Sequence, residues 1–428
     1  MRSRVIWRRS ATAMGVYTAT ALGFLTTIVA THELHYRAYG RFAAVLAAAT
    51  FFQQLLDLTI EEALVKFGFR YVEAQRWGRL RRLFEVALGF KVAGGVLAAL
   101  VIVALAPVSK EVWGTGGVVL PMTIASLIPL AQSPENVAAG AIILRGRYDI
   151  RGGFLAVSMA FRLLGLAIGC RYGVVGGVIG MVVAQVFATA AIGVAGWSAF
   201  RRFPQAPAEP IADDVRGLRS FLISSSLASS LDSARGTLGT SLVPTVAPIV
   251  QAGYFSVAQA PATGLAALSG PARLVMLTEQ TRDFEAGRHD RVMRMLKRYV
   301  TSTALLMLVV VPVFWVLMPF LLGLFYPPEF REHATTAARL VLLAAALNLV
   351  WGWTKPFPVS IGRPELRVKV QALEIAVFVP LLLWFASRWG ATGAAGAMLV
   401  SVVVFCAVWS VVLLRLRSGW RSAEAVPS

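Results

Sequence analysis

Apolar stretches of roughly twenty residues, the length that crosses a bilayer as a helix, recur along the chain from Ala11 to Leu416 with short polar segments between them. The pattern predicts twelve spans, at about 11–31, 42–66, 83–106, 117–144, 153–171, 174–199, 219–243, 249–276, 300–324, 336–357, 370–388 and 392–416. Backbone amides have no water to bond in hydrocarbon, so runs of this length must be helical. An even number of spans returns the chain to the side on which it began. The longest connection, Phe200 to Arg219, carries Pro204, Pro207, Pro210, Asp213 and Asp214 and reads as a flexible linker. It divides an N-terminal six-helix lobe (1–200) from a C-terminal one (219–416), with the linker at 201–218 and a tail at 417–428.

The two halves share landmarks at nearly constant offsets. Gly40-Arg41-Phe42 matches Gly253-Tyr254-Phe255 at 213, and Glu73-Ala74-Gln75-Arg76 matches Glu285-Ala286-Gly287-Arg288 at 212. The basic loop Gly146-Arg147 to Arg151 matches Gly362-Arg363 to Arg367 at 216, and Tyr172-Gly173 with Gly176 matches Trp389-Gly390 with Gly393 at 217. Slowly drifting offsets across loops of one sidedness mark an internal repeat. Because six is even, the repeat is parallel, about an axis along the membrane normal.

Composition agrees with this picture: 57% of the 428 residues are hydrophobic and the mean hydropathy is +0.68. The formal charge of +19 could point to a polyanion such as nucleic acid. Its distribution excludes that reading. The N-terminus and every second loop hold about 28 of the 41 Lys and Arg residues and the opposite loops about 6, the asymmetry expected of cytoplasmic loops. Both termini are therefore expected in the cytoplasm. Met1 to Arg9 starts like a signal peptide, but no convincing cleavage site follows, and the run is read as the first span. Loops 70–82 and 281–298 mix arginines with Trp77, Leu80, Phe284 and Leu296, a pattern suited to short amphipathic helices on an anionic leaflet. Cys170 and Cys406 lack metal-ligand spacing and read as small apolar residues.

Ionisable side chains inside hydrocarbon cost about 2.5–3.5 kcal/mol each at a helix centre, which makes them the most informative positions. Arg162, Asp232 and Arg235 lie deepest, with Lys91, Asp57 and Glu135 nearer the cytoplasm, Lys66, Arg273 and Lys355 toward the inner side and Arg339 toward the outer. Gln53, Asp57 and Glu61 share one face of the second span, and Ser225, Ser229, Asp232 and Gly236 do so in the seventh. Polar faces in both halves point to a shared cavity. Arg162 and Arg235 are the leading anion-site residues, because guanidinium stays ionised and grips phosphate with paired hydrogen bonds. Lys91 and Lys355 would add point charges; the competing role for each cation is snorkelling or a salt bridge. Asp57, Glu135 and Asp232 are candidates for coupling to protons or sodium. Prolines at 134, 244, 248, 261 and 271 permit bending. His32, Glu33 and His35 lack the spacing and further ligands of a zinc site, and no nucleotide loop or nucleophile elbow occurs. No catalytic residue, metal or cofactor is expected.

The run Tyr39-Gly40-Arg41-Phe42, leading into a span that ends Asp57-Leu58-Thr59-Ile60-Glu61-Glu62-Ala63-Leu64-Val65-Lys66-Phe67, resembles the start of bacterial polysaccharide-unit flippases. So does Asp232 followed by Gly253-Tyr254-Phe255 and Ala258. This family belongs to the multidrug/oligosaccharidyl-lipid/polysaccharide exporter superfamily. The resemblance spans nearly the whole chain through loose motifs. It implies two six-helix lobes in a V-shaped MATE-like bundle of the bacterial inner membrane, alternating access, and a cationic cavity for the pyrophosphate of an undecaprenyl-linked oligosaccharide. It also implies contact with membrane lipids and polysaccharide assembly proteins. The lipid II flippases of the superfamily carry two further C-terminal helices that the twelve spans do not include.

Two other functions compete. A drug or cation antiporter of the same fold should favour acidic cavity residues, against Arg162, Arg235 and Lys91. A membrane-embedded glycan polymerase or glycosyltransferase needs a larger outer loop than any found here.

Overall fold

The structure of the chain, a computed structural model, describes residues 2–56, 60–211, 236–267, 276, 280, 283–284, 288–355, 357–361, 363 and 365–424. Every regular element among them is a helix. Helix α1, Arg2–Leu56, has 55 residues and at 1.5 Å per residue exceeds twice the roughly 30 Å of hydrocarbon. It folds into two crossings at His35, whose backbone turns left-handed (φ 51°). Helices α2 (Ile60–Glu73) and α3 (Trp77–Val112) follow, and the fourth span is assembled from α4 (Val119–Ala125), α5 (Leu127–Gln132) and α6 (Glu135–Leu144). The fifth and sixth are α7 (Tyr148–Gly169) and α8 (Gly173–Arg201). In the second half come α9 (Val250–Ala267), α10 (His289–Phe325), α11 (Pro328–Val350), the short α12 (Phe357–Ser360) and α13 (Glu365–Glu424), which bends at Gly390.

Among the described residues, seven stretches are long and apolar enough to cross a membrane. Three of them double back, at His35, Gly173 and Gly390, so they hold ten of the expected crossings, and α9 falls on the eighth. Most of the expected seventh span, 219–243, lies outside the described residues. Large apolar side chains stand exposed along these helices, Leu308 at 71% and Val316 at 72% among them. On a helix whose solvent is lipid, that is the stable arrangement. The chain is a multi-pass membrane protein.

The repeat read from the sequence recurs in the backbone of the turns. At Gln75 the chain turns left-handed (φ 52°) and the Arg76 amide donates to the Tyr71 carbonyl at 2.9 Å; the Arg288 amide donates to Asp283 at 2.9 Å. Gly146 (φ 68°) sits in the same motif, with Arg147 donating to Ile142 at 3.1 Å, and Arg363 donates to Pro358 at 2.8 Å. These six-to-one bonds close helix C-termini in the Schellman manner, and they match at the offsets of the sequence landmarks. Gly173 (φ 77°) and Gly390 (φ 54°) make the corresponding hairpin bends. In the Gly146 turn Asp149 accepts from Arg147 at 3.0 Å and holds its guanidinium above the ordinary arginine value.

Contacts divide the chain into two compact units, Met1–Gly253 and Tyr254–Ser428. In the first, α7 packs along α1 and against α8. The approach is backbone to backbone, because Gly15 meets Gly152, Gly165 meets Gly180 and Gly169 meets Gly176 with no space for a Cβ. In the second unit α11 packs against α10 and α13, through a fully buried face of Ala334, Ala337, Ala338, Val341 and Ala344. Proline at 319 leaves the Trp315 carbonyl without its helical donor. Arg339 supplies one, its Nε donating to Trp315 at 3.0 Å while the guanidinium lies over the Trp315 ring.

Two local expectations are corrected. Segments 70–82 and 288–298 are not separate surface helices: α2 runs to Glu73, α3 begins at Trp77 and α10 at His289. Leu80 and Leu296 there are buried, at 1% and 2%, so these two side chains do not lie on lipid. Nor is the first part of the connection after α8 a free tether. Phe203 and Ile211 are buried in a cluster with Tyr71, Leu80 and Leu144, and Arg145 stacks on the Phe203 ring. The Arg145 side chain also donates to the Arg202 carbonyl at 3.3 Å, and the Glu209 amide donates to Gly78 at 3.1 Å. Residues 202–211 thus form a strap across the ends of α3, α6 and α8.

Candidate functional site

The fourth span breaks because its sequence forbids a continuous helix. Pro134 has no amide for the Leu130 carbonyl, and the chain tightens so that the Ser133 amide reaches Leu130 instead, at 3.3 Å. The Pro129 carbonyl, which a regular helix would have paired with that amide, is taken by the Ser133 hydroxyl at 2.9 Å. Gly95 of α3 admits this break, since any Cβ there would meet Ser133 and the Pro129 carbonyl. A new helix, α6, starts at Glu135, where the amide ends favour a carboxylate.

Four helices deliver charged or polar groups to this point. The Glu135 carboxylate, 6% exposed, accepts from the Gln185 amide nitrogen at 3.0 Å and faces Arg151 Nη1 of α7 at 3.8 Å. Gln185 of α8 also donates to Thr189 at 3.0 Å, and its amide oxygen accepts from Arg162 Nη2 at 2.6 Å. Arg151 and Arg162 lie on one face of α7, three turns apart. Lys91 of α3 is buried next to the residues that flank Glu135, sharing a cavity with Ser133 and Asn136. That cavity is small, about 20 Å³, with room for roughly one water. It is lined by Gln53, Lys91, Gln132, Ser133 and Asn136 among others, with the Gln53 amide donating to Gln132 across it.

Among the described residues one carboxylate is thus set beside three cationic side chains, a formal net charge of +2. Burying such a group is costly unless the charges pair with one another. A surplus of positive charge in a half-buried place is suited to holding an anion. Lys91 and Glu135 are buried, Arg151 is half-buried, and so is Arg162. Its remaining guanidinium donors make no hydrogen bond among the described residues.

Of the residues singled out from sequence, the structure brings together Lys91, Glu135 and Arg162. Lys355 lies in the second unit, half-buried in the turn after Thr354. Asp57, Asp232 and Arg235 lie outside the described residues. Sequence reasoning missed two members. Arg151 was assigned to a loop, although its spacing from Arg162 was a usable signal. Gln185 is neutral, and its only signal is its isolation in an otherwise apolar span.

No family model matches the chain, and neither does any curated protein sequence. Solved structures do. The chain is 14% identical to the MATE transporter VcmN of Vibrio cholerae, over 97% of each chain with a TM-score of 0.62. It is 13% identical to a MOP-superfamily transporter from Pyrococcus furiosus described by the reverse polarity of its binding pocket, covering 97% of this chain and 96% of that one with a TM-score of 0.65. With the lipid II flippase MurJ in an inward closed conformation the identity is 12%, the coverage 94% and 87%, and the TM-score 0.67. At these identities the likeness shows the fold, which is that of the MATE and MOP transporters.

Proposed function

We propose that this protein is a flippase that carries lipid-linked oligosaccharides, borne on an anionic polyprenyl pyrophosphate such as undecaprenyl pyrophosphate, across the bacterial inner membrane. The observation that carries the reading is the net-cationic cluster of Lys91, Arg151 and Arg162 around the single carboxylate Glu135. A pyrophosphate can be gripped by a guanidinium through two parallel bonds, and the lipid tail need never leave the bilayer. Sugar and headgroup would then cross by alternating access of the two lobes, 1–200 and 219–416, joined by 201–218, with both termini in the cytoplasm. Arg235 and Lys355 remain proposed partners of the anion, and Asp57 and Asp232 proposed coupling groups for protons or sodium. Glu135 is reassigned in this reading to balancing the cations. Polysaccharide assembly proteins would supply and consume the substrate, and the chain itself performs no catalysis.

A drug or cation antiporter is the second reading. It is favoured by the several matched structures that are multidrug transporters and by the buried Glu135. Three cations against one carboxylate speak for the anion, and the Pyrococcus furiosus neighbour, described by reversed pocket polarity, suggests that one fold can serve both signs. The test is flipping of a lipid-linked oligosaccharide in proteoliposomes by wild type and by Arg162→Ala with Arg235→Ala. Loss of a charge-assisted contact at each site should slow transport at least about tenfold. Unchanged flipping by a normally folded double variant would overturn the proposal, and expulsion of a lipophilic cation by the same protein would favour the antiporter.

A further inference from the structure

We infer that Gln185 is a positioning residue for the anion site: its amide stands between Arg162 and Glu135 and keeps the guanidinium from being consumed by the carboxylate. The inference rests on the anion-site reading above. Gln185 is 1% exposed, and its orientation is fixed from one side. The nitrogen gives its two protons to Glu135 and Thr189, both at 3.0 Å. The oxygen must therefore face Arg162, from which it accepts at 2.6 Å.

A guanidinium has five N–H donors and an amide oxygen occupies only one here. A carboxylate in the same place would take two in a fork and cancel the charge. Glu135 is instead met at its other carboxylate oxygen by Arg151, at 3.8 Å. The neutral amide thus orients Arg162 without neutralising it. A transporter of anions needs this property in a buried network, and an apolar residue at 185 would not supply it.

The experiment is a mutant cycle in nanodiscs, with binding of geranylgeranyl pyrophosphate measured for wild type, Gln185→Leu, Gln185→Glu and Arg162→Ala, and for each Gln185 variant combined with Arg162→Ala. Gln185→Glu places a competing carboxylate on Arg162 and should weaken binding about tenfold or more, approaching the loss in Arg162→Ala. Gln185→Leu should weaken it by a smaller factor, and in the Arg162→Ala background neither change should lower affinity further. Equal losses in both backgrounds would identify a structural role and overturn the inference, as would wild-type affinity in Gln185→Glu. If Gln185→Leu fails to fold, the isosteric Gln185→Glu carries the cycle alone. A wild type that does not bind the probe, or binds it as well without Arg162, overturns the anion site itself and the role of Gln185 with it.

Discussion

The fourth and tenth spans occupy matching places in the repeat, yet they are built differently. The fourth is cut into three helices between Val119 and Leu144, and the cut brings Glu135 and a helix start into the membrane. The tenth runs as one helix, α11, for 23 residues from Pro328 to Val350 and breaks once, at Trp351, into the turn Gly352–Thr354 and the short α12. Trp351 stands where the offset of 216 would place a partner for Glu135, so no carboxylate enters at that break. One half spends stability on a polar break, and the other packs an alanine face against its neighbours. The lesson is that repetition of architecture does not repeat chemistry. The helices and turns recur, while the charged cluster belongs to the first unit among the described residues.

The largest effect expected from this asymmetry is on stability. Glu135→Leu leaves three cations without their carboxylate, and breaking a buried pair of this kind costs about 3–5 kcal/mol. Trp351→Leu, at the matching position, should cost about 1–3 kcal/mol as an ordinary loss of packing. Thermal unfolding in detergent compares the two, and equal shifts in Tm would erase the distinction drawn between the spans.

A second comparison concerns how each unit repairs a carbonyl left over by a helix break. Arg339→Met should cost about 1–3 kcal/mol, because it strands the Trp315 carbonyl. In a Pro319→Ala background an amide is available again, and the same substitution should cost clearly less. An identical penalty in both backgrounds would show that Arg339 acts through something other than that carbonyl.

The smallest effects separate the two terminal hairpins. Gly180→Ala forces a methyl into the backbone of Gly165 and should cost about 1–3 kcal/mol. Gly396→Ala meets only the Phe385 ring, at 3.5 Å, and should be neutral or stabilise by up to about 1 kcal/mol through helix propensity. Unfolding midpoints that reverse this order would mean that the two hairpins are not packed as described.

Much of this was legible in the sequence. The spans were set by apolar length, the doubled hairpins by Gly173 and Gly390, and the depth of Lys91, Glu135 and Arg162 marked them before their proximity was known. What sequence could not reveal was which of the deep charges meet, since that depends on how α3, α6, α7 and α8 rotate about their own axes. Gln185 was invisible for a related reason: a neutral amide acquires meaning only from its neighbours. His35 and Gln75 turn left-handed without the glycine that usually announces such a bend. The strap at 202–211 misled because prolines and charges suggest a free connection, whereas Phe203 and Ile211 fasten it.

The Schellman turns have a practical consequence. Their closing bonds join main-chain groups, at Arg147 and Arg363 as at Arg76 and Arg288, so they depend little on which side chains the adjoining helices carry. They are natural seams for building chimaeras: a hairpin cut at Arg147 and one cut at Arg363 present like ends to their surroundings. Exchanging such cassettes would allow the polar chemistry of one half to be written into the scaffold of the other.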